Sequence, residues 1–131
     1  METAARPLVA KRDISLGIIG MTEGNGHPYS WSAIFNGFDR MEMAKCPFAA
    51  IPAYLGKEPA SAFPVPGVRV THVCCDDPRD AEAVSRASLV PNVVRRPEEL
   101  VGAVDAVVIA TDIGSEHVRR ARPFVEAGLP A

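Results

Sequence analysis

The chain has 131 residues, a formal net charge of −2, and 47% hydrophobic and 23% charged residues. This length fits one domain with its own core, and this composition excludes a disordered or collagen-like chain. No apolar run reaches the roughly 18–20 residues of a membrane span, and the slightly acidic chain lacks the basic surface typical of nucleic-acid binding. The odd number of cysteines, three, favours a reducing, cytoplasmic compartment over a disulfide framework.

The first part of the chain predicts a strand, a glycine turn and a helix. Residues 1–12 are polar and mixed, and we expect them to form a flexible arm. The apolar run 14–19 predicts a buried strand, and three glycines within 20–26 predict a sharp turn or a close approach to a ligand. A helix is predicted over 28–38, broken near Asn36-Gly37. Its inner stripe is predicted at Trp31, Ile34, Phe35 and Phe38.

The segment 39–67 has a different texture and is interpreted as an insertion. It holds five of the twelve prolines, and we expect a short helix near 40–45 followed by an irregular connection. Seven of the eight aromatic residues lie between positions 29 and 63. The favoured interpretation is that they pack the insertion onto the domain, and a platform for a ligand ring is the alternative.

The second half predicts three further strands, over 68–75, 92–94 and 106–110. Asp77 and Pro78 predict the start of a helix, and a short helix is predicted over 97–101. A last helix begins near Ser115. Its inner positions are predicted at Val118, Ala121 and Val125.

Strands and helices therefore alternate along the chain, which predicts an α/β fold: a Rossmann-like, doubly wound parallel sheet over residues 13–131. The sequence ends at Ala131, where a fifth strand is expected, so we expect a fold truncated before that strand. An open sheet edge can pair with another chain, and homo-oligomers are expected for that reason.

The glycine turn and the end of the second strand are the candidate binding elements. In such a fold Gly20, Gly24 and Gly26 would approach a pyrophosphate, and Asp76 would accept hydrogen bonds from ribose hydroxyls. The spacing departs from Gly-x-Gly-x-x-Gly, because Tyr29 stands where the third glycine is expected. The residues alone leave a ligand-binding turn and a turn without a ligand equally open.

Other polar groups are given structural interpretations. His72, Cys74 and Asp76 share one strand face but spread over about 13 Å, so no metal site is predicted. The basic clusters 95–96 and 119–122 are interpreted as solvated faces.

Five segments resemble the glucose–fructose oxidoreductase / inositol dehydrogenase family (Gfo/Idh/MocA). They are residues 14–20, 70–76, 104–111, 116–117 and 125–130. The resemblance implies a domain that binds NAD or NADP, followed in the family by a C-terminal α+β domain. It implies that the three glycines face the pyrophosphate, that Asp76 faces the adenine ribose, and that Thr111 and His117 line the nicotinamide side, with His117 as the candidate catalytic residue.

The family's catalytic lysine follows a fifth strand, beyond the end of this sequence. The expected function is therefore the NAD(P)-binding part of an oxidoreductase that transfers a hydride to or from a polyol- or sugar-like substrate, incomplete as a catalyst. The alternative is a non-catalytic nucleotide-binding or protein-interaction module with a remodelled cleft.

Overall fold

The computed structural model describes residues 13–21 and 25–131; the predicted arm 1–12 and Gly24 lie outside the described residues. Four strands form one sheet in which every pair is parallel, in the order β3-β2-β1-β4. The strands are β1 (Ile14–Gly20), β2 (Val68–Cys75), β3 (Asn92–Val93) and β4 (Ala106–Ala110). The predicted doubly wound parallel sheet is confirmed.

Helices cover both faces of this sheet. They are α1 (His27–Asn36), α2 (Arg40–Met43), α3 (Ala50–Lys57), α4 (Pro78–Ala87) and α5 (His117–Glu126), with 3₁₀ turns at Ala60–Ala62, Pro97–Leu100 and Gly114–Glu116. Successive side chains of β1 point to opposite faces of the sheet and belong to two separate hydrophobic clusters. Ile18 belongs to the cluster with Tyr29 and Val84, and Ile19 belongs to the cluster with Leu100 and Phe124. Among these helices of the described chain, none is long and apolar enough to cross a bilayer.

The buried face of α1 differs from the predicted aromatic stripe. Tyr29, Ser32, Ala33 and Asn36 are buried, whereas Trp31 is 37% exposed. The small side chains of Ser32 and Ala33 let the helix approach the sheet closely, so the bulkier stripe turns toward the insertion. The helix ends at Asn36, two residues earlier than predicted, and is followed by Gly37, whose φ of 79° is favourable for glycine.

The insertion is more regular than the sequence predicted. Its first helix is α2, and the segment expected to be an irregular connection contains α3. Pro52 lies in the first turn of α3, where a backbone N–H has no partner within the helix, so proline is tolerated there. Met43 and Leu55 are buried in the core beneath α1, with Phe48 packed against it. Packing is thus the role of most of the insertion's apolar side chains.

The inner face predicted for α5 is wrong. Phe124 is fully buried, whereas Val118 and Val125 are exposed and Ala121 is half-buried. Phe124 packs against Ile19 and Val107 on the sheet. Burying one large aromatic side chain removes more apolar area from water than burying either valine, and this sets the rotation of the helix.

Candidate functional site

The carboxyl ends of β1, β2 and β4 meet at one edge of the sheet. The chain leaves β1 toward β2 on one side and β4 lies on the other, so the connections diverge between β1 and β4. In open α/β sheets ligands bind in the crevice at such a switch point. The candidate residues Gly20, Asp76 and Thr111 end or follow these three strands.

Close packing accounts for two of the three candidate glycines. A Cβ at Gly20 would overlap Pro28 Cγ and lie 3.1 Å from the carbonyl oxygen of Ala110. A Cβ at Gly26 would overlap the ring of Phe48 and the side chain of Ile51. Glycine is thus needed at both positions to seat α1 against β1 and against the insertion.

The first turn of α1 offers less to a phosphate than the sequence suggested. The backbone N–H of His27 donates to Oδ1 of Asn25 at 2.9 Å, and Pro28 has no N–H. The N–H of Tyr29 donates to the carbonyl oxygen of Gly26 at 2.9 Å. A phosphate at the start of α1 would usually bond to free backbone N–H groups, but those of His27 and Tyr29 are engaged and Pro28 has none.

Asp76 is paired with a guanidinium that the sequence interpretation had placed in solvent. Arg120 donates through Nη1 to Oδ1 at 3.3 Å and through Nη2 to Oδ2 at 3.1 Å. The side chain of Arg120 is 16% exposed and that of Asp76 is 69% exposed. Hydrogen bonding to Asp76 raises the pKa of Arg120. Because a carboxylate has about four acceptor positions, Asp76 keeps acceptor capacity toward solvent.

Glu116 also holds the Arg120 side chain in position, because its Oε2 accepts a hydrogen bond from Arg120 Nε at 3.2 Å. Glu116 and Arg120 are spaced i,i+4, a sequence signal for such a pair. Beside Asp76 lies a cavity of about 440 Å³ with mixed charge. Its other lining residues are Pro97, Glu98, Glu116, Arg119, Arg120 and Pro123. This end of the crevice has the size and polarity to hold a nucleoside.

Asp77 has the structural role that the sequence predicted. Its Oδ1 accepts a bond from the backbone N–H of Arg79 at 2.9 Å and caps α4. Hydrogen bonds from the Arg79 side chain and backbone hold the pKa of Asp77 below its usual value. Asp77 is thus occupied at the helix end, and Asp76 is the acid that faces the crevice.

The end of β4 brings Thr111 and His117 together. Thr111 is buried, and in the described part of the chain its Oγ1 has no hydrogen-bond partner. Nε2 of His117 lies 2.7 Å from the carbonyl oxygen of Thr111, so this nitrogen carries a proton and donates it. The imidazole is therefore oriented by the backbone, and the hydroxyl of Thr111 at the end of β4 is buried without a partner among the described residues.

Two further residues at this edge were not found from the sequence. Asn25 is buried, and its Nδ2 donates to Oδ1 of Asp112 at 2.9 Å, joining the loop after β1 to the loop after β4. The pair closes one end of a cavity of about 580 Å³ between α1 and α3. The rings of His27 and Trp31 stack in its wall, with centroids 4.4 Å apart and planes at 11°. Asn25 and Asp112 are 87 positions apart in the sequence, so no local pattern predicts their contact.

The buried thiols are unsuited to act as nucleophiles. Burial raises the pKa of Cys74 to about 11 and that of Cys75 to about 12. Burial also raises the pKa of Cys46. No group of three or more His, Cys, Asp or Glu side chains within residues 13–21 and 25–131 is arranged to hold a metal ion.

Solved structures of inositol dehydrogenases share this fold. An apo scyllo-inositol dehydrogenase from Lactobacillus casei matches with a TM-score of 0.56 and 15% identity, over 90% of this chain and 27% of that one. A myo-inositol 2-dehydrogenase from Lactobacillus plantarum matches with a TM-score of 0.52 and 14% identity, over 89% and 26%. The Lactobacillus casei enzyme with bound NAD(H) and scyllo-inositol gives 0.52 and 15%, over the same fractions as the second.

The chain thus spans about a quarter of the length of these enzymes. The resemblance seen in the sequence is confirmed at the level of the fold. No protein-family model matches the sequence, and no curated protein matches it.

Proposed function

We propose that this domain binds a nicotinamide dinucleotide, NAD or NADP, along the carboxyl edge of its sheet. The observation that carries the proposal is the exposed carboxylate of Asp76, held by Arg120 at the end of β2 beside a cavity of about 440 Å³. Similarity in fold to a dehydrogenase solved with NAD(H) supports the choice of ligand.

The residues at the edge fit the two ends of such a ligand. Asp76 would accept bonds from the adenine ribose hydroxyls while Arg120 holds its carboxylate in place. The orphaned Thr111 Oγ1 would bond the ligand at the end of β4, where His117 fixes the backbone carbonyl. Of the three candidate glycines, Gly24 would leave room for the pyrophosphate in the loop, because Pro28 and Phe48 fill the Cβ positions of Gly20 and Gly26.

The reaction proposed for the complete enzyme is hydride transfer between the cofactor and a polyol- or sugar-like alcohol. When bound, a nicotinamide supplies the carbon that gives or accepts the hydride. The described domain would orient that ring through the β4 end, with His117 as the candidate group near the reacting atoms. Its three unpaired cysteines are consistent with the reducing cytoplasm as its compartment.

Calorimetric titration with NADH and NADPH tests this proposal. NADH is expected to bind more tightly, because a 2′-phosphate would meet the carboxylate of Asp76. Arg120 offsets part of this repulsion, so the preference should be modest. Asp76→Asn should weaken NADH by about 1–3 kcal/mol and leave NADPH unchanged or stronger. Glu126→Gln, an exposed acid on α5, is the matched control and should change neither affinity.

The second candidate is a non-catalytic module whose cleft no longer takes a dinucleotide. The engaged N–H groups of His27 and Tyr29 favour it, since the usual anion site at the start of α1 is closed. Thermal-shift measurements with NADH, NADPH and ADP-ribose separate the two candidates. Stabilisation by none of the three, together with no heat of binding, would refute dinucleotide binding and favour the module.

A further inference from the structure

We propose that the cavity between α1 and α3 is a binding site for a small planar aromatic molecule that carries a hydrogen-bond donor at one end. This site is separate from the charged cavity at Asp76, and its existence does not depend on dinucleotide binding. Its volume of about 580 Å³ lies within the roughly 300–1,000 Å³ of small-molecule pockets.

Two helices supply apolar walls that face each other. His27, Trp31 and Ile34 lie on one side of α1, and Phe48, Ile51 and Tyr54 come from the start and first turns of α3. Trp31 is 37% exposed and Tyr54 is 48% exposed. These are the exposed members of an aromatic set whose other members pack into the core, so their rings are available to a ligand.

The shape of the walls favours a flat ring. His27 and Trp31 already lie parallel with ring centroids 4.4 Å apart, and both residues line the cavity. Aromatic rings prefer offset-stacked or edge-to-face contacts with centroids about 4.5–7 Å apart, and such pairs gain more than their buried area predicts. A polyhydroxylated ring would instead place several hydroxyls against apolar walls without partners, which is costly.

One end of the cavity is polar and fixed in position. Asn25 is buried, donates to Asp112, and accepts the N–H of His27, so its amide cannot rotate freely. The carboxylate of Asp112 places negative charge at this end. A ligand with a hydroxyl, amine or ring N–H at one end of a flat apolar body therefore complements the site in both shape and charge.

The single tryptophan of the chain, Trp31, reports occupancy directly. We would titrate the full chain with 4-nitrobenzyl alcohol, which has a donor and a ring that quenches indole fluorescence. Saturable quenching is expected, and benzyl alcohol should reverse it. The analogue 4-nitrotoluene, in which a hydrogen replaces the hydroxyl group, should bind about tenfold more weakly. Addition of myo-inositol should leave the fluorescence unchanged.

Variants locate the binding. Tyr54→Ala should weaken 4-nitrobenzyl alcohol about tenfold, Tyr54→Phe should retain its binding, and Val118→Ala on the exposed side of α5 is the matched control. Circular dichroism checks that each variant is folded.

Three results would overturn the proposal. The first is quenching that stays linear in concentration, as for free N-acetyltryptophanamide. The second is equal affinity in wild type and Tyr54→Ala. The third is self-association in sedimentation that shields Trp31 from acrylamide, because the cavity wall would then be an interface between two copies.

Discussion

Replacing Asn36 tests how α1 is joined to the sheet. Its Nδ2 donates to the carbonyl oxygen of Val70 at 2.8 Å and is shared between the carbonyls of Ser88 and Leu89, both at 3.2 Å. Its Oδ1 accepts the N–H of Val70 at 2.9 Å. One buried amide thus links the end of α1 to β2 and to the turn after α4.

The magnitude follows from those contacts. Each of the two bonds to Val70 contributes about 1 kcal/mol to stability, and the shared donor contributes about one more. Asn36→Ala also leaves the buried N–H of Val70 without its partner, which costs about 1–3 kcal/mol where water cannot enter. Because these terms overlap, we expect the free energy of unfolding to fall by about 2–4 kcal/mol, a large part of the ~5–15 kcal/mol typical of a domain.

Urea unfolding followed by circular dichroism measures this loss. The control is Asn92→Ala, whose exposed amide makes one bond, 2.9 Å to the carbonyl of Thr71. It should cost less than about 1 kcal/mol. If Asn36→Ala cost no more than Asn92→Ala, with an unchanged denaturant slope, the assignment of Asn36 as a buried anchor would be refuted.

Three further predictions concern packing, pH and thiol chemistry. Gly20→Ala should lower the free energy of unfolding by about 1–3 kcal/mol in urea, because its Cβ overlaps the start of α1, whereas Gly56→Ala, with open space around it, should not destabilise the fold. Burial lowers the pKa of His72, so below about pH 6.5 the unfolded chain binds more protons than the folded chain, and the free energy of unfolding decreases as the pH is lowered. The urea midpoints at pH 5 and pH 7 should therefore differ less in His72→Asn than in the wild type. Cys74 and Cys75 should react with a disulfide reagent at pH 8 only after urea unfolding; fast labelling of the folded chain at either thiol would contradict their raised pKa values.

The strands were predictable because their signal is local. The apolar, β-branched runs 68–75 and 106–110 give β2 and β4 with the predicted bounds. Asp77 and Pro78 likewise mark the start of α4, since a cap and a first-turn proline act within a few residues. The order of elements then fixed the parallel topology, because such crossovers follow one hand.

Side-chain partners across the fold were not predictable. Arg120 reaches Asp76 from 44 residues away, and Asn25 reaches Asp112 from 87 residues away. The rotation of α5 was also missed, because three apolar positions fitted the helical period and only the tertiary position of Phe124 decides between faces. Which face of α5 is buried depends on how its side-chain volumes fit the neighbouring core, and the local sequence pattern does not contain that information.

The glycine turn and the insertion are packed against each other and are best considered together. Tyr29 stands where the dinucleotide fingerprint has its third glycine, which serves close packing of helix and strand. Here Tyr29 is buried in the same cluster as Met43 and Leu55 of the insertion, and its carbonyl accepts the hydroxyl of Ser88 at 2.7 Å.

The insertion therefore supplies the core volume that a tyrosine requires. Phe48 from the same segment presses against Gly26 and forms a wall of the α1–α3 cavity. The contact with Phe48 is a reason for glycine at position 26 that does not involve a phosphate. The insertion thus explains both the irregular fingerprint at Tyr29 and the aromatic cavity beside it, while the Asp76 end of the crevice, which the insertion does not line, keeps its polar arrangement.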